Sequence, residues 1–193
     1  MAKARLLMTG FGPFGDVSRN PSGWIAEQLA QVSPEDLQVT SQVLPVTFED
    51  APVVLERFVN AHESPAPRAL LSLGVHPRPG FCLESRARPR PTSKSVDNAG
   101  QVGFQGNPTS IQLKDRSPSF DVGALHKALS LDDVSISTDA GGYVCDWVFQ
   151  HLLAHGQRLA IPALFLHVPS FDQATEEHLL EVTSRVAHAL ANL

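Results

Sequence analysis

The sequence predicts an α/β fold: a three-layer α/β/α sandwich around a twisted sheet that is mainly parallel but mixed. Three observations point to it. Short apolar runs of strand length recur along the chain, too continuous for strands with one wet face. Between them lie stretches with apolar residues at helical spacing. Gly, Pro and Asn punctuate the boundaries. The 193 residues leave room for one domain over 1–193, and no repeat or linker composition divides it.

The elements follow in order. Residues 5–9 form a first buried strand that stops at Gly10. Asn20 caps a helix that has Pro21 at its first position and continues through Trp24, Ile25, Gln28 and Leu29. Residues 37–46 read as a second strand. Residues 48–62 read as a helix through Val53, Val54, Leu55, Phe58 and Val59. Strands are expected at 69–74 and 81–84. Residues 86–119 are rich in Arg, Pro, Ser, Gly and Asn with little periodicity, and so are expected to be irregular. Their first part, 86–109, is expected to be mobile without ligand and to order over a filled pocket. A helix at 122–129, a strand at 134–138, a helix at 142–155 and a strand at 163–168 complete the alternation. The last helix, 175–192, carries Leu179, Val182, Val186 and Leu190 on its apolar side.

Composition excludes several classes of function. The net charge of -5 gives no overall field for nucleic acid. No apolar run is long enough to span a membrane, and the opening stretch is too short for a signal peptide. The two cysteines, Cys82 and Cys145, form no C-x-x-C pair. That count excludes a disulfide scaffold and a thiolate zinc site, and a cytoplasmic protein with free thiols is expected.

Four places offer chemistry. Gly10-Phe11-Gly12-Pro13-Phe14-Gly15 satisfies the G-x-G-x-x-G pattern of dinucleotide sites. However, Pro13 has no N–H for a pyrophosphate, two rings occupy the turn, and the next strand ends at Leu44-Pro45-Val46 without an acid for a ribose. The rings suit a flat, uncharged ligand better. Asp139-Ala140-Gly141-Gly142-Tyr143-Val144-Cys145-Asp146 leads from a strand into a helix. Cys145 should fall in the first turns, where unpaired N–H groups lower a thiol pKa and offer an oxyanion hole. A buried, inert cysteine is the alternative, and Cys82 between Phe81 and Leu83 fits that description. His167 ends an apolar strand twenty-two residues after Cys145, so the two can meet as nucleophile and base. Glu84 ends another short strand and can orient the imidazole. His151 and His155 lack a zinc-protease glutamate and read as surface helix residues. Arg86, Arg88, Arg90 and Lys94 read as a solvated loop.

Together these segments resemble the pyroglutamyl peptidase I family of cysteine peptidases. Thr9 to Gly15 with Asn20-Pro21-Ser22 looks like its N-terminal signature, and Leu44-Pro45-Val46-Thr47-Phe48 like its second strand and turn. Asp97-Asn98 with Gly100 is similar to its Asp-Asn loop. Ala140 to Cys145 resembles its nucleophile segment, and Leu166-His167-Val168-Pro169 its histidine segment.

The resemblance implies a single α/β/α domain that removes N-terminal pyroglutamyl residues from peptides, with Cys145, His167 and Glu84 catalytic. It places Phe11 and Phe14 in the lactam pocket, with Tyr143 as a further wall. It implies no cofactor or metal, and leaves a homo-oligomer open because members differ. The alternative is a pyroglutamyl-peptide binding protein of the same fold with weakened turnover. The departures are Asp139 and Asp146 flanking the nucleophile, which raise a thiol pKa unless they point away. Lys94 stands where the family has an arginine, and would keep the charge near the oxyanion without the bidentate fork.

Overall fold

The computed structural model describes residues 3–33, 36–103, 106 and 108–193. The chain runs β1(Ala4–Phe11), α1(Pro21–Val32), β2(Leu37–Leu44), α2(Asp50–Ala61), β3(Ala69–Val75), β4(Phe81–Glu84), α3(Val122–Leu129), β5(Val134–Ser137), α4(Val144–Leu159), β6(Ala163–Val168) and α5(Glu176–Ala191). The strands form a six-stranded sheet in the order β2-β1-β3-β6-β4-β5. The pairs β2–β1, β1–β3 and β3–β6 are parallel, β4 runs antiparallel to β6, and β5 is parallel to β4. The expected mixed, mainly parallel sheet is therefore present.

Strand periodicity divides the core into two layers. In β1, Leu6 and Met8 join the cluster containing Ile25, Val182 and Val186, whereas Leu7 and Phe11 join the one containing Leu55, Trp147 and Val148. Hence α1, α3 and α5 cover one face of the sheet, and α2 and α4 the other. Both faces of the inner strands β1, β3, β6 and β4 are dry, which is why these strands read as continuous apolar runs. The same alternation positions the chemistry. Leu164, Leu166 and Val168 of β6 face α5, so His167 shares with Phe165 the face under α4. In β4, Phe81 and Leu83 also face α5, which turns Cys82 and Glu84 to the α4 side.

Local signals set most boundaries. The Asn20 side chain accepts from Ser22 N at 3.1 Å and caps α1, with Pro21 at its start. Gly10 is needed for close approach: a Cβ there would lie 2.1 Å from the Ser22 carbonyl oxygen. The glycine thus serves strand–helix packing. β2 stops at Leu44, two residues before the expected end, because Pro45 cannot continue the ladder. Residues 86–119 carry no helix or strand element among those described, beyond bridges at Ala87↔Arg116 and Val96↔Val102.

α4 departs from expectation. It continues to Leu159, and His151 and His155 are buried at 0% and 3% exposure rather than on the surface. The irregular segment lies over the outer side of α4, which removes its wet face. Thr109 Oγ1 lies 3.1 Å from His151 Nδ1, while Arg116 Nη1 donates to Gln150 Oε1 at 2.7 Å. Burial pushes the two imidazoles down to about 3 for His151 and about 4 for His155.

Because both stay neutral in the folded protein, the unfolded chain binds more protons once pH falls below the ordinary value of 6.5. Stability is therefore intact above that value and falls as pH drops toward 4, by up to about 1.4 kcal/mol per pH unit for each histidine. His155→Gln should lessen the drop in urea midpoint between about pH 7 and about pH 5. An unchanged drop would contradict the assignment.

Candidate active site

The site is built on the α4 face of the sheet. Cys82 and His167 are register partners on β4 and β6, and Glu84 stands diagonally across from His167 on the same face. His167 Nδ1 lies 2.7 Å from Glu84 Oε1, and both side chains are buried. The carboxylate accepts, so Nδ1 carries the proton and Nε2 keeps the basic lone pair. The second oxygen, Glu84 Oε2, is buried without a hydrogen-bond partner among the described residues. Glu84 is thereby committed to the imidazole.

Cys145 enters from above. Gly141 and Gly142 have φ of 87° and 66°, and this left-handed turn carries the chain from beyond β5 into α4. Cys145 is the second residue of that helix, so its sulfur lies beside first-turn N–H groups without helical partners. The thiol rests over Gly74, the register partner of His167; a Cβ at Gly74 would lie 2.9 Å from Sγ. Cys145 and His167 line one cleft of about 500 Å³ together with His76, Arg78 and Asp139. Cys145 also lines a second, apolar cavity of about 180 Å³ formed by Phe11, Phe14, Val46, Val75, Pro77 and Tyr143. The two spaces meet at the sulfur.

Cys82, by contrast, is buried in β4 with its sulfur 3.2 Å from Ser135 Oγ. Lys94 is exposed and lines neither space.

The electrostatics differ from expectation at the thiol. Burial, with the negative charges of Asp146 and Glu84, pushes the Cys145 pKa up to about 12, against the lowering expected at a helix start. The resting sulfur is a protonated thiol, so attack requires a base to take its proton as the bond forms.

Arg88 holds the two unusual aspartates. Its Nη1 donates to Asp139 Oδ1 at 2.8 Å and Asp146 Oδ2 at 2.9 Å, and its backbone N–H donates to Asp146 Oδ1 at 3.1 Å. The guanidinium and the Gly141 N–H hold the Asp139 carboxyl down at about 2. Burial pushes Asp146 up, opposed by its bonds to Arg88. Arg88 is thus a half-buried partner of the segment that carries Cys145, where a solvated loop residue was expected. The signal available in the sequence was the pair of acids beside Cys145, which require a cation, within an arginine-rich segment.

The irregular segment also ties the walls together. Asp97 accepts from the backbone N–H of Phe48 at 2.8 Å and of Ala99 and Gln101 at 2.9 Å. Asn98 Nδ2 donates to the Pro13 carbonyl at 2.9 Å, beside Phe14. The Gly142 carbonyl accepts from Thr92 N and Ser93 N, both at 2.8 Å, and Tyr143 Oη donates to Val96 O at 2.7 Å. Sequence reasoning placed the Asp-Asn motif but not these anchoring bonds, because their partners lie far away in the chain.

A thiol at a helix start shares a cleft with a carboxylate-bound imidazole on an α/β/α sandwich, the set of groups that a cysteine-type hydrolase uses. Comparison narrows the class. A family model described as pyroglutamyl peptidase matches residues 4–187. The pyrrolidone-carboxylate peptidase of Gloeobacter violaceus is 30% identical over 174 residues, covering 86% of this chain and 81% of that protein. That of Pyrococcus furiosus is 30% identical over 175 residues, covering 86% and 80%. A solved mutant pyrrolidone carboxyl peptidase from Pyrococcus furiosus superposes with a TM-score of 0.84 at 25% identity, covering 97% of this chain and 98% of that one. The chain belongs to the pyroglutamyl peptidase family.

Removing Arg88 should leave the Asp146 charge uncompensated beside Cys145. Arg88→Ala is expected to slow iodoacetamide alkylation of Cys145, followed on its peptide by mass spectrometry, by about tenfold, one pKa unit in thiolate. Asp146→Asn in the same chain should restore most of the rate. Equal slowing in the double variant would mean that Arg88 acts only on local folding.

Proposed function

We propose that this chain is a cysteine exopeptidase that removes N-terminal pyroglutamyl residues from peptides, with Cys145 as nucleophile, His167 as base and acid, and Glu84 as the orienting carboxylate. The observation that carries the reading is the buried Glu84–His167 bond of 2.7 Å facing the cleft that holds the Cys145 thiol.

The chemistry follows from the two spaces meeting at Cys145. A pyroglutamyl ring is flat and uncharged, and the apolar cavity of about 180 Å³ with Phe11, Phe14 and Tyr143 suits one small ring. A free N-terminal ammonium would lose its hydration there without a counter-ion, so ordinary peptides are disfavoured. With the ring seated, the scissile carbonyl meets Sγ. His167 Nε2 takes the thiol proton as the carbon–sulfur bond forms, which a thiol raised to about 12 requires. The oxyanion faces the first-turn N–H groups of α4, and this role is assigned to them rather than to the exposed Lys94. The tetrahedral intermediate collapses to a thioester as the imidazolium gives its proton to the leaving amine. Water, deprotonated by the same imidazole, then releases pyroglutamate and restores the thiol. Glu84 holds the required tautomer throughout.

Hydrolysis of pyroglutamyl aminomethylcoumarin tests the assignment. Cys145→Ala should abolish turnover, and Glu84→Gln should lower kcat by about 10²–10⁴-fold with a smaller change in KM. The prolyl analogue, which carries an ammonium, should not be cleaved. Turnover by Cys145→Ala, or pyroglutamate-stabilised melting of a wild type that cleaves nothing, would overturn the reading.

A further inference from the structure

The cleft beside His167 is more polar than the ring cavity, and its charges are unevenly partnered. If the lactam ring fills the apolar cavity, the leaving amine and the residue that bears it lie in the cleft of about 500 Å³, because His167 must return its proton there. The titratable side chains lining that cleft, besides Cys145 and Tyr143, whose hydroxyl donates to the Val96 carbonyl, are His76, Arg78, Asp139 and His167.

His167 is bonded to Glu84. Asp139 Oδ1 already accepts from Arg88 Nη1 at 2.8 Å and from Gly141 N at 2.9 Å. His76 is buried with Nε2 3.1 Å from the Gly80 carbonyl, so that nitrogen carries a proton, and burial holds the ring below its ordinary pKa and so disfavours the charged form. Arg78 is exposed and makes no hydrogen bond or salt bridge among the described residues. It stands between Pro77 and Pro79 in the short turn joining β3 to β4. Both prolines limit the backbone, and the Pro77 carbonyl is tied to Gln173 Nε2 at 2.8 Å. Arg78 therefore lines the cleft from a stiff backbone support.

We propose that this cleft is a subsite for a carboxylate on the leaving side of the scissile bond, bound by Arg78. The proposal rests on the peptidase reading above. The planar guanidinium fork matches a carboxylate. Two sources share that chemistry: the terminal carboxylate of a pyroglutamyl dipeptide, and the side chain of an acidic second residue. Asp139 Oδ1 is held by Arg88, so the negative charge of Asp139 is shared with that guanidinium and Arg78 is the cation left to the cleft.

The test measures kcat/KM of the wild type at low salt on two pairs of substrates: pyroglutamyl-alanine against its amide, and pyroglutamyl-glutamate amide against pyroglutamyl-glutamine amide. The charged member of at least one pair should lead by about fivefold, chiefly through KM, with the lead shrinking at high salt. The pair that shows it identifies the source. Arg78→Gln should erase the lead, and Arg78→Lys should keep part of it. Equal values within both pairs, preference for the neutral members, or a lead that survives Arg78→Gln would overturn the subsite. Pyroglutamyl aminomethylcoumarin, which has no carboxylate, separates the two readings. Its failure to be cleaved by the wild type removes the peptidase assignment. Its cleavage with equal values in both pairs removes only the subsite.

Discussion

A carboxylate and an imidazole bonded to each other beneath a helix form the constraint around which the rest of this structure is arranged. Glu84 and His167 are both buried, and a carboxylate taken out of water is tolerated only with a partner of good geometry. That partner has to come from a neighbouring strand on the same face. The sheet supplies it by setting β4 antiparallel to β6, the one antiparallel pairing between its named strands among the described residues. A strand only four residues long suffices, because Phe81 and Leu83 anchor it in the α5 layer while Cys82 and Glu84 face α4. The thiol then has to arrive over the same spot. Gly74 leaves that space, since any side chain there would meet the sulfur and the Phe165 ring.

Negative charge around the thiol sets the second condition. Glu84 is bonded to the imidazole, and Asp146 follows Cys145 directly; both oppose ionisation of the thiol. Arg88 answers the second of these by binding Asp146 and Asp139 together. The irregular segment therefore does more than span a gap. Its Arg88 balances charge, its Asp97 and Asn98 fix the turn beside Phe14 and Phe48, and its backbone at Thr92 and Ser93 holds the Gly142 carbonyl. One stretch, without helix or strand elements among its described residues, joins the ring cavity to the turn before Cys145. It also covers α4, and so turns His151 and His155 into core residues.

Most of the fold was legible from the chain because its signals are local. Asn20-Pro21 marked the start of α1, the apolar period defined α5, and α3 and β6 have the expected bounds. The placement of the candidate residues was legible at element ends: Glu84 at the end of β4, His167 near the end of β6, and Cys145 after a glycine turn. Arg88 was not legible as a partner of Asp146, because fifty-eight residues separate them and nothing in the spacing names one arginine among several. The two α4 histidines were misplaced for a related reason. Period analysis gives a helix one dry face, whereas α4 has the sheet on one side and a loop on the other.

The sequence by itself determined the order of strands and helices, the two-faced burial of the sheet, and the residue types able to perform thiol chemistry. These depend on periodicity and on signals within a few residues. Only the tertiary structure decided that β4 lies beside β6 and runs against it, which brings Glu84 to His167. Only there do burial and the carboxylates of Asp146 and Glu84 converge on the thiol and push its pKa up. Charge balance and burial are sums over neighbours in space, and the chain order does not contain those neighbours.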